Sequence, residues 1–152
     1  TIALLHWGSE YNDTIYDTQE SIVSVMQKGG VDVIIGSHPH RVQHVDYDSL
    51  TGNLVAYSLG DFFGDGTKDG TFYSILLQLE ITKDHQAGTT KITGYEYTPI
   101  FSVYDEKEGL KVVRLREGIE AYEAGHVSRV TKEVYDQMVY AIKRVDARAK
   151  GE

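Results

Sequence analysis

The chain has 152 residues, of which 41% are hydrophobic and 25% charged, as expected for one soluble globular domain or part of one. It contains no cysteine, which excludes disulfides, cysteine nucleophiles and thiolate metal sites, and no apolar run approaches the roughly 18–20 residues needed to span a bilayer. The net charge of −8 is uneven: residues 1–106 carry 15 acids against 5 bases, and residues 107–150 carry 7 against 10. The acidic first two-thirds argues against a nucleic-acid partner and suits either cation binding or ordinary acidic solubility.

In chain order, Thr1–His6 is an apolar run of strand length that opens the sequence without a basic, signal-like leader, so the chain reads as trimmed from something longer. Ile15, Gln19, Ile22, Val23 and Met26 recur at helical spacing, and Gly29-Gly30 closes the pattern. Val31–Ile35 is a second apolar, β-branched run. Strand, helix and strand predict a βαβ unit with parallel neighbours, a right-handed crossover and strands buried on both faces. Val42–Tyr47 and Asn53–Tyr57 flank Asp48-Ser49 and Thr51-Gly52 and predict a hairpin. Phe72–Ile81 and Thr89–Tyr97 predict a second antiparallel pair around a turn at His85–Gly88. Residues 105–126 carry no clear periodicity. Thr131 caps a last predicted helix whose stripe is Val134, Met138, Ala141, Ile142 and Val145. The expected class is α/β, with a parallel βαβ unit followed by mixed or antiparallel strands and a C-terminal helix.

The chemistry gathers early. Four of the six histidines lie in the first 44 residues. Loops after parallel strands open at one sheet edge, so His6 after the first strand and His38 and His40 after the second are brought to one place. Pro39 stiffens the turn between the last two, and Gly36 lets the backbone come close. Such imidazoles suit zinc, iron, manganese or nickel-like ions, including two ions a few ångströms apart. His44 is expected along the next strand, and His85 and His126 on the surface. Trp7 is assigned to core packing over a pocket wall. Arg41 would contact an anionic substrate or pair with Asp46 or Asp48. Gly64–Gly70 lacks the Gly-Lys-Ser/Thr ending of a phosphate loop and is read as a mobile surface turn near the site. Ser58 has no histidine neighbour in sequence and is set aside as a nucleophile.

Three motifs in fixed order, His6-Trp7-Gly8-x-Glu10-Tyr11, Gly36-Ser-His38-Pro-His40-Arg41-Val42-Gln43 and Tyr57-Ser58-Leu59-Gly60-Asp61-Phe62, resemble the CapA family. That family serves poly-gamma-glutamate capsule biosynthesis and is similar to calcineurin-like metallophosphoesterases. The resemblance covers about residues 1–104. It implies a partial metallophosphatase-like sandwich, with residues 1–104 as the C-terminal half of the domain and 105–152 as an extension ending in a helix. It also implies His6, His38 and His40 as metal ligands, with Glu10, Arg41 and Asp61 lining the site. Asp61 stands where the family has Asn; it is read as a turn residue ahead of an added carboxylate ligand. The family's earlier Asp-bearing strand, second Asp motif and Asn-His motif are not in this sequence.

The resemblance further implies a parent at the bacterial cell surface or membrane-anchored. That parent would be a metal-dependent hydrolase or transferase holding two divalent ions: manganese, zinc or iron. Its partners would be the missing N-terminal half and an anionic substrate or poly-gamma-glutamate. The fragment alone would be inactive, weakly metal-binding or metal-free, and prone to self-association. The alternative is a non-catalytic assembly or anchoring protein of the same fold. A third reading, a ligand-binding module without metal, needs these histidines engaged in protein hydrogen bonds.

Overall fold

The computed structural model describes residues 1–64, 66–126 and 130–152. The first sheet holds β1 (Ile2–His6), β2 (Val33–Ser37), β3 (Val45–Asp48) and β4 (Asn53–Ala56) in the order β1-β2-β4-β3. β1 pairs parallel with β2, joined by helix α1 (Asp17–Lys28), as the apolar runs predict. β4 adds a third parallel strand, and β3 folds back antiparallel on β4 as the expected hairpin. The turn of that hairpin is fixed by Asp48, whose carboxylate accepts from the Leu50 N–H and the Thr51 hydroxyl, both at 2.8 Å. The predicted strand at Val42–Tyr47 starts later than expected. Val42 makes only an isolated bridge to Leu59, and His44 lies just before β3.

Helix α1 stops where its glycines demand. Gly30 takes φ +87, the Val31 N–H reaches the Met26 carbonyl and the Gly30 N–H reaches that of Gln27. This left-handed ending satisfies the last carbonyls and turns the chain into β2.

The second sheet is antiparallel: β5 (Tyr73–Asp84), β6 (Thr89–Asp105) and β7 (Gly109–Arg114) in sequence order. β6 runs well beyond the predicted Tyr97. Pro99, which has no N–H to donate, sits one residue before β7 begins to pair with β6 at Ile100. Residues 105–126, uninterpreted in the sequence, form β7 and helix α2 (Leu115–Glu123). Helix α3 (Lys132–Lys150) starts on Thr131, whose hydroxyl accepts from the Val134 N–H at 3.3 Å.

The main core lies between the sheets. Val33, Val45, Leu54 and Ala56 of the first meet Tyr73, Ile75, Ile92 and Phe101 of the second, closed off by Leu115 and by Met138, Ala141, Val145 and Ala149 of α3. A smaller core on the other face joins Ile34, Val55, Tyr57 and Trp7 to Val23 of α1. The segment beyond residue 104 thus shares the main core.

The expectation that both apolar runs are buried on both faces holds for β2 and fails for β1. β1 is an edge strand, and its residues alternate between exposed and half-buried. Ile2 and Leu4 are in register with Val33 and Ile35 on the inner face, yet the second sheet and α3 do not reach them. Leu4 is left 76% exposed. No helix among the described residues is long and apolar enough to cross a membrane.

Candidate functional site

β1 and β2 end side by side, with His6 in register with Ser37, so the chain that follows each strand emerges at one sheet edge. Two close approaches hold this edge together. The Trp7 indole N–H donates to the Tyr57 carbonyl at 2.8 Å, passing over Gly36. A Cβ at Gly36 would lie 2.0 Å from that carbonyl oxygen and 2.2 Å from the indole nitrogen, so only glycine fits. Trp7 is a buried core residue, as expected.

Beyond Gly36 the backbone is strained. His38 (φ +98) and His40 (φ +59) both take left-handed conformations with the buried Pro39 between them. Such conformations cost about 1–3 kcal/mol each in a non-glycine residue and persist only where surrounding contacts hold them. The turn brings the imidazoles together: the ring centres of His6 and His38 are 4.3 Å apart, and those of His38 and His40 are 6.4 Å apart. All three share one mouth, as the parallel geometry predicts.

Asp61 follows β4 on a loop fixed by Gly60 (φ +79) and by the Ile75 N–H bond to the Leu59 carbonyl. Its carboxylate lies 2.8 Å from His40 Nδ1. A proton on Nδ1 donated to Asp61 leaves Nε2 as a free lone pair pointing away, the arrangement in which a carboxylate orients a ligating imidazole. Asp61 is therefore more than a turn residue, because it fixes the ring of His40. Glu10 Oε1 stands 3.8 Å from His40 Nε2, and Tyr11 stacks on the same ring at 5.1 Å. Tyr11 is locked in turn by its N–H bond to the Pro39 carbonyl at 2.9 Å. Lys68 lies 5.8 Å from the centre of the Tyr11 ring, which puts the Gly64–Gly70 segment beside the site; Asp65 of that segment lies outside the described residues.

Among the described residues, no three His, Asp or Glu side chains converge on one point at metal-binding distance. The imidazoles and carboxylates are of the right chemistry for a divalent ion, but the described residues alone do not bring them together as a closed metal-binding group.

Arg41 makes neither expected contact with Asp46 or Asp48. Its guanidinium faces Asp13, 3.4 Å away, in the loop between β1 and α1. That carboxylate is shared with Arg148 of α3, which also donates to the Tyr73 hydroxyl at 3.0 Å. Burial pushes the Tyr73 pKa up against the pull of Arg148, so Tyr73 is a neutral partner. The side chain of Gln43, itself buried, ties the same loop down through the Asn12 and Thr14 carbonyls. Asp13, Tyr11 and Arg148 were not foreseen. A signal for Arg148 exists in the sequence: it lies seven residues after Ala141 and three after Val145, on the apolar stripe of α3, where a charge needs a buried partner. His85 and His126 are exposed, as expected.

Residues 1–66 match the family model of the bacterial capsule synthesis protein PGA_cap. The chain is 35% identical over 95 residues to the PGA biosynthesis protein CapA of Bacillus subtilis (strain 168), covering 62% of this chain and 23% of that protein. It is 36% identical over 76 residues to the capsule biosynthesis protein CapA of Bacillus anthracis, covering 50% of this chain and 18% of that protein. It therefore spans less than a quarter of the length of the curated relatives it matches. The matched segment contains β1 to β4, the three clustered histidines and Asp61, and it is through this segment that the chain is similar to the CapA-type bacterial capsule synthesis proteins.

Proposed function

We propose that this chain supplies one wall of a divalent-metal site in a capsule-biosynthesis protein, in which His6, His38 and His40 are ligands and Glu10 and Asp61 line the site. The observation that supports this reading is that two neighbouring strand ends bring the three imidazoles to one sheet edge, two of them on strained left-handed backbone. A bound ion, or a pair of them, would lower the pKa of water and polarise a phosphoryl or acyl oxygen. His40 would ligate through Nε2, held in that tautomer by Asp61 on Nδ1. Arg41 is spoken for by Asp13, so an anionic substrate would meet Lys68 first.

Three neutral imidazoles bring no charge to offset that of two cations, so the remaining carboxylate ligands would come from a preceding half of a metallophosphatase-like domain. The share of the relatives that the chain covers, and the open edge of β1 with Ile2 and Leu4 uncovered, support this. The substrate of the whole protein would be poly-gamma-glutamate or another anionic chain, handled by a hydrolase or transferase at the bacterial surface or anchored to its membrane. Without its partner half, this chain would bind manganese or zinc weakly, turn nothing over and self-associate through β1.

The test is an assay of the full-length protein on a generic phosphodiester with manganese, zinc or iron. Metal-dependent turnover that vanishes in His38→Ala is the expected result. No turnover and no metal uptake across the three metals would sink the reading in favour of a non-catalytic assembly or anchoring protein.

A further inference from the structure

We infer that Arg148, on the last turn of α3, is a positioning residue for the histidine cluster, acting through Asp13 on Arg41 and on the loop between β1 and α1. Its value to metal binding rests on the proposed function, whereas its effect on the loop does not. Asp13 is the joint. One carboxylate is gripped by Arg148 from the C-terminal helix and by Arg41, the residue directly after His40. Two residues before Asp13 lies Tyr11, whose ring stacks on His40 and whose N–H is bound to the Pro39 carbonyl inside the strained turn.

Arg148 is well placed to be the fixed end of this chain of contacts. Its side chain is only 9% exposed, against 40% for Asp13. Its other nitrogen is held by the fully buried Tyr73 of β5. A guanidinium holds two partners at set angles, which an ammonium does not. The loop carrying Glu10 and Tyr11 follows an edge strand and contains no helix or strand of its own, so it takes its position from outside contacts. In this arrangement α3, which lies wholly outside residues 1–66 that match the family model, sets how Glu10 and Tyr11 face His40.

The experiment is residue-resolved amide hydrogen exchange on the 152-residue chain, followed by zinc titration calorimetry, for wild type, Arg148→Met, Arg148→Lys and Asp13→Asn. Arg148→Met is expected to speed exchange of the Tyr11 amide about tenfold while the Leu54 amide, bonded to the Asp32 carbonyl inside the first sheet, keeps its rate. Arg148→Lys should recover part of the protection. Zinc affinity should fall about tenfold in Arg148→Met, in line with losing an outer support of a ligand. Unchanged Tyr11 exchange overturns the inference, because a role confined to the end of α3 would leave that amide alone. If Arg148→Met speeds both amides, Asp13→Asn, which leaves the packing of α3 intact, decides: faster exchange at Tyr11 alone upholds the inference and no change rejects it. A wild type that takes up no zinc would count against the metal reading of this chain, while the exchange rates still answer for Arg148.

Discussion

β1 and β2 belong to one βαβ unit, lie in register and are about equally apolar in sequence, yet they live in different surroundings. Ile34 of β2 is fully buried, whereas Leu4 of β1 is 76% exposed. The difference is one of place in the sheet. β2 has a neighbour on each side and a core on each face, while β1 closes the sheet and lies beyond the reach of α3 and the second sheet. Burial of a strand is thus decided by what the rest of the protein puts against it. Both strands nevertheless deliver a histidine-bearing segment to the same mouth.

The largest expected effect comes from where the two strands are clamped together. Gly36→Ala drives a methyl group into the Tyr57 carbonyl and the Trp7 indole, and is expected to cost about 3 kcal/mol or more, read as a lower midpoint in urea unfolding. A variant as stable as wild type would mean the clamp is loose. Next, Ile34→Ala in β2 should cost about 3 kcal/mol, while Leu4→Ala in β1 should stay within about 0.5 kcal/mol. Sedimentation of Leu4→Ala should also show less self-association, since it trims the uncovered apolar face. Equal losses for the two substitutions would erase the contrast.

Within the shared mouth, Asp61→Asn keeps a hydrogen-bond acceptor near His40 but removes the charge that holds its ring. Metal affinity measured by calorimetry should fall about tenfold. The smallest effect belongs to the opposite edge of the sheet, at the β3–β4 turn. The Thr51 hydroxyl, then the Leu50 amide, hold the Asp48 carboxylate below its usual pKa of 3.8. Its contribution is therefore complete above the unfolded value and is lost as pH falls through the lowered folded value. The Leu50 amide should exchange normally for a protected turn near neutrality and lose protection only in strong acid; loss already near pH 5 would contradict the assignment.

Much of this was readable from residue order. The apolar runs Thr1–His6 and Val31–Ile35, separated by a helical stripe, gave parallel neighbours, and parallel neighbours gave the meeting of His6, His38 and His40. Thr131 and the stripe from Val134 to Val145 gave α3. What escaped has physical causes. An apolar pentapeptide reads the same at an edge as at the centre, so the exposure of β1 was hidden. Helix α2 has no side-chain cap and follows directly on a strand, leaving no boundary to read. The partner of Arg41 is not one of the acids near it in sequence, because the Gln43 amide pins residues 12–14 across the sheet end and so places Asp13 beside it. The role of Asp61 depended on a contact 21 residues away, to His40.

The chain holds a single tryptophan, and it is the one beside His6. Because its indole is buried and hydrogen-bonded at the sheet end, the protein carries an intrinsic optical reporter next to its candidate metal ligands. Tryptophan emission can be excited apart from that of the 11 tyrosines. Events at the mouth, from quenching by a bound paramagnetic ion to loosening of the clamp over Gly36, would thus be legible in the fluorescence of the unlabelled protein.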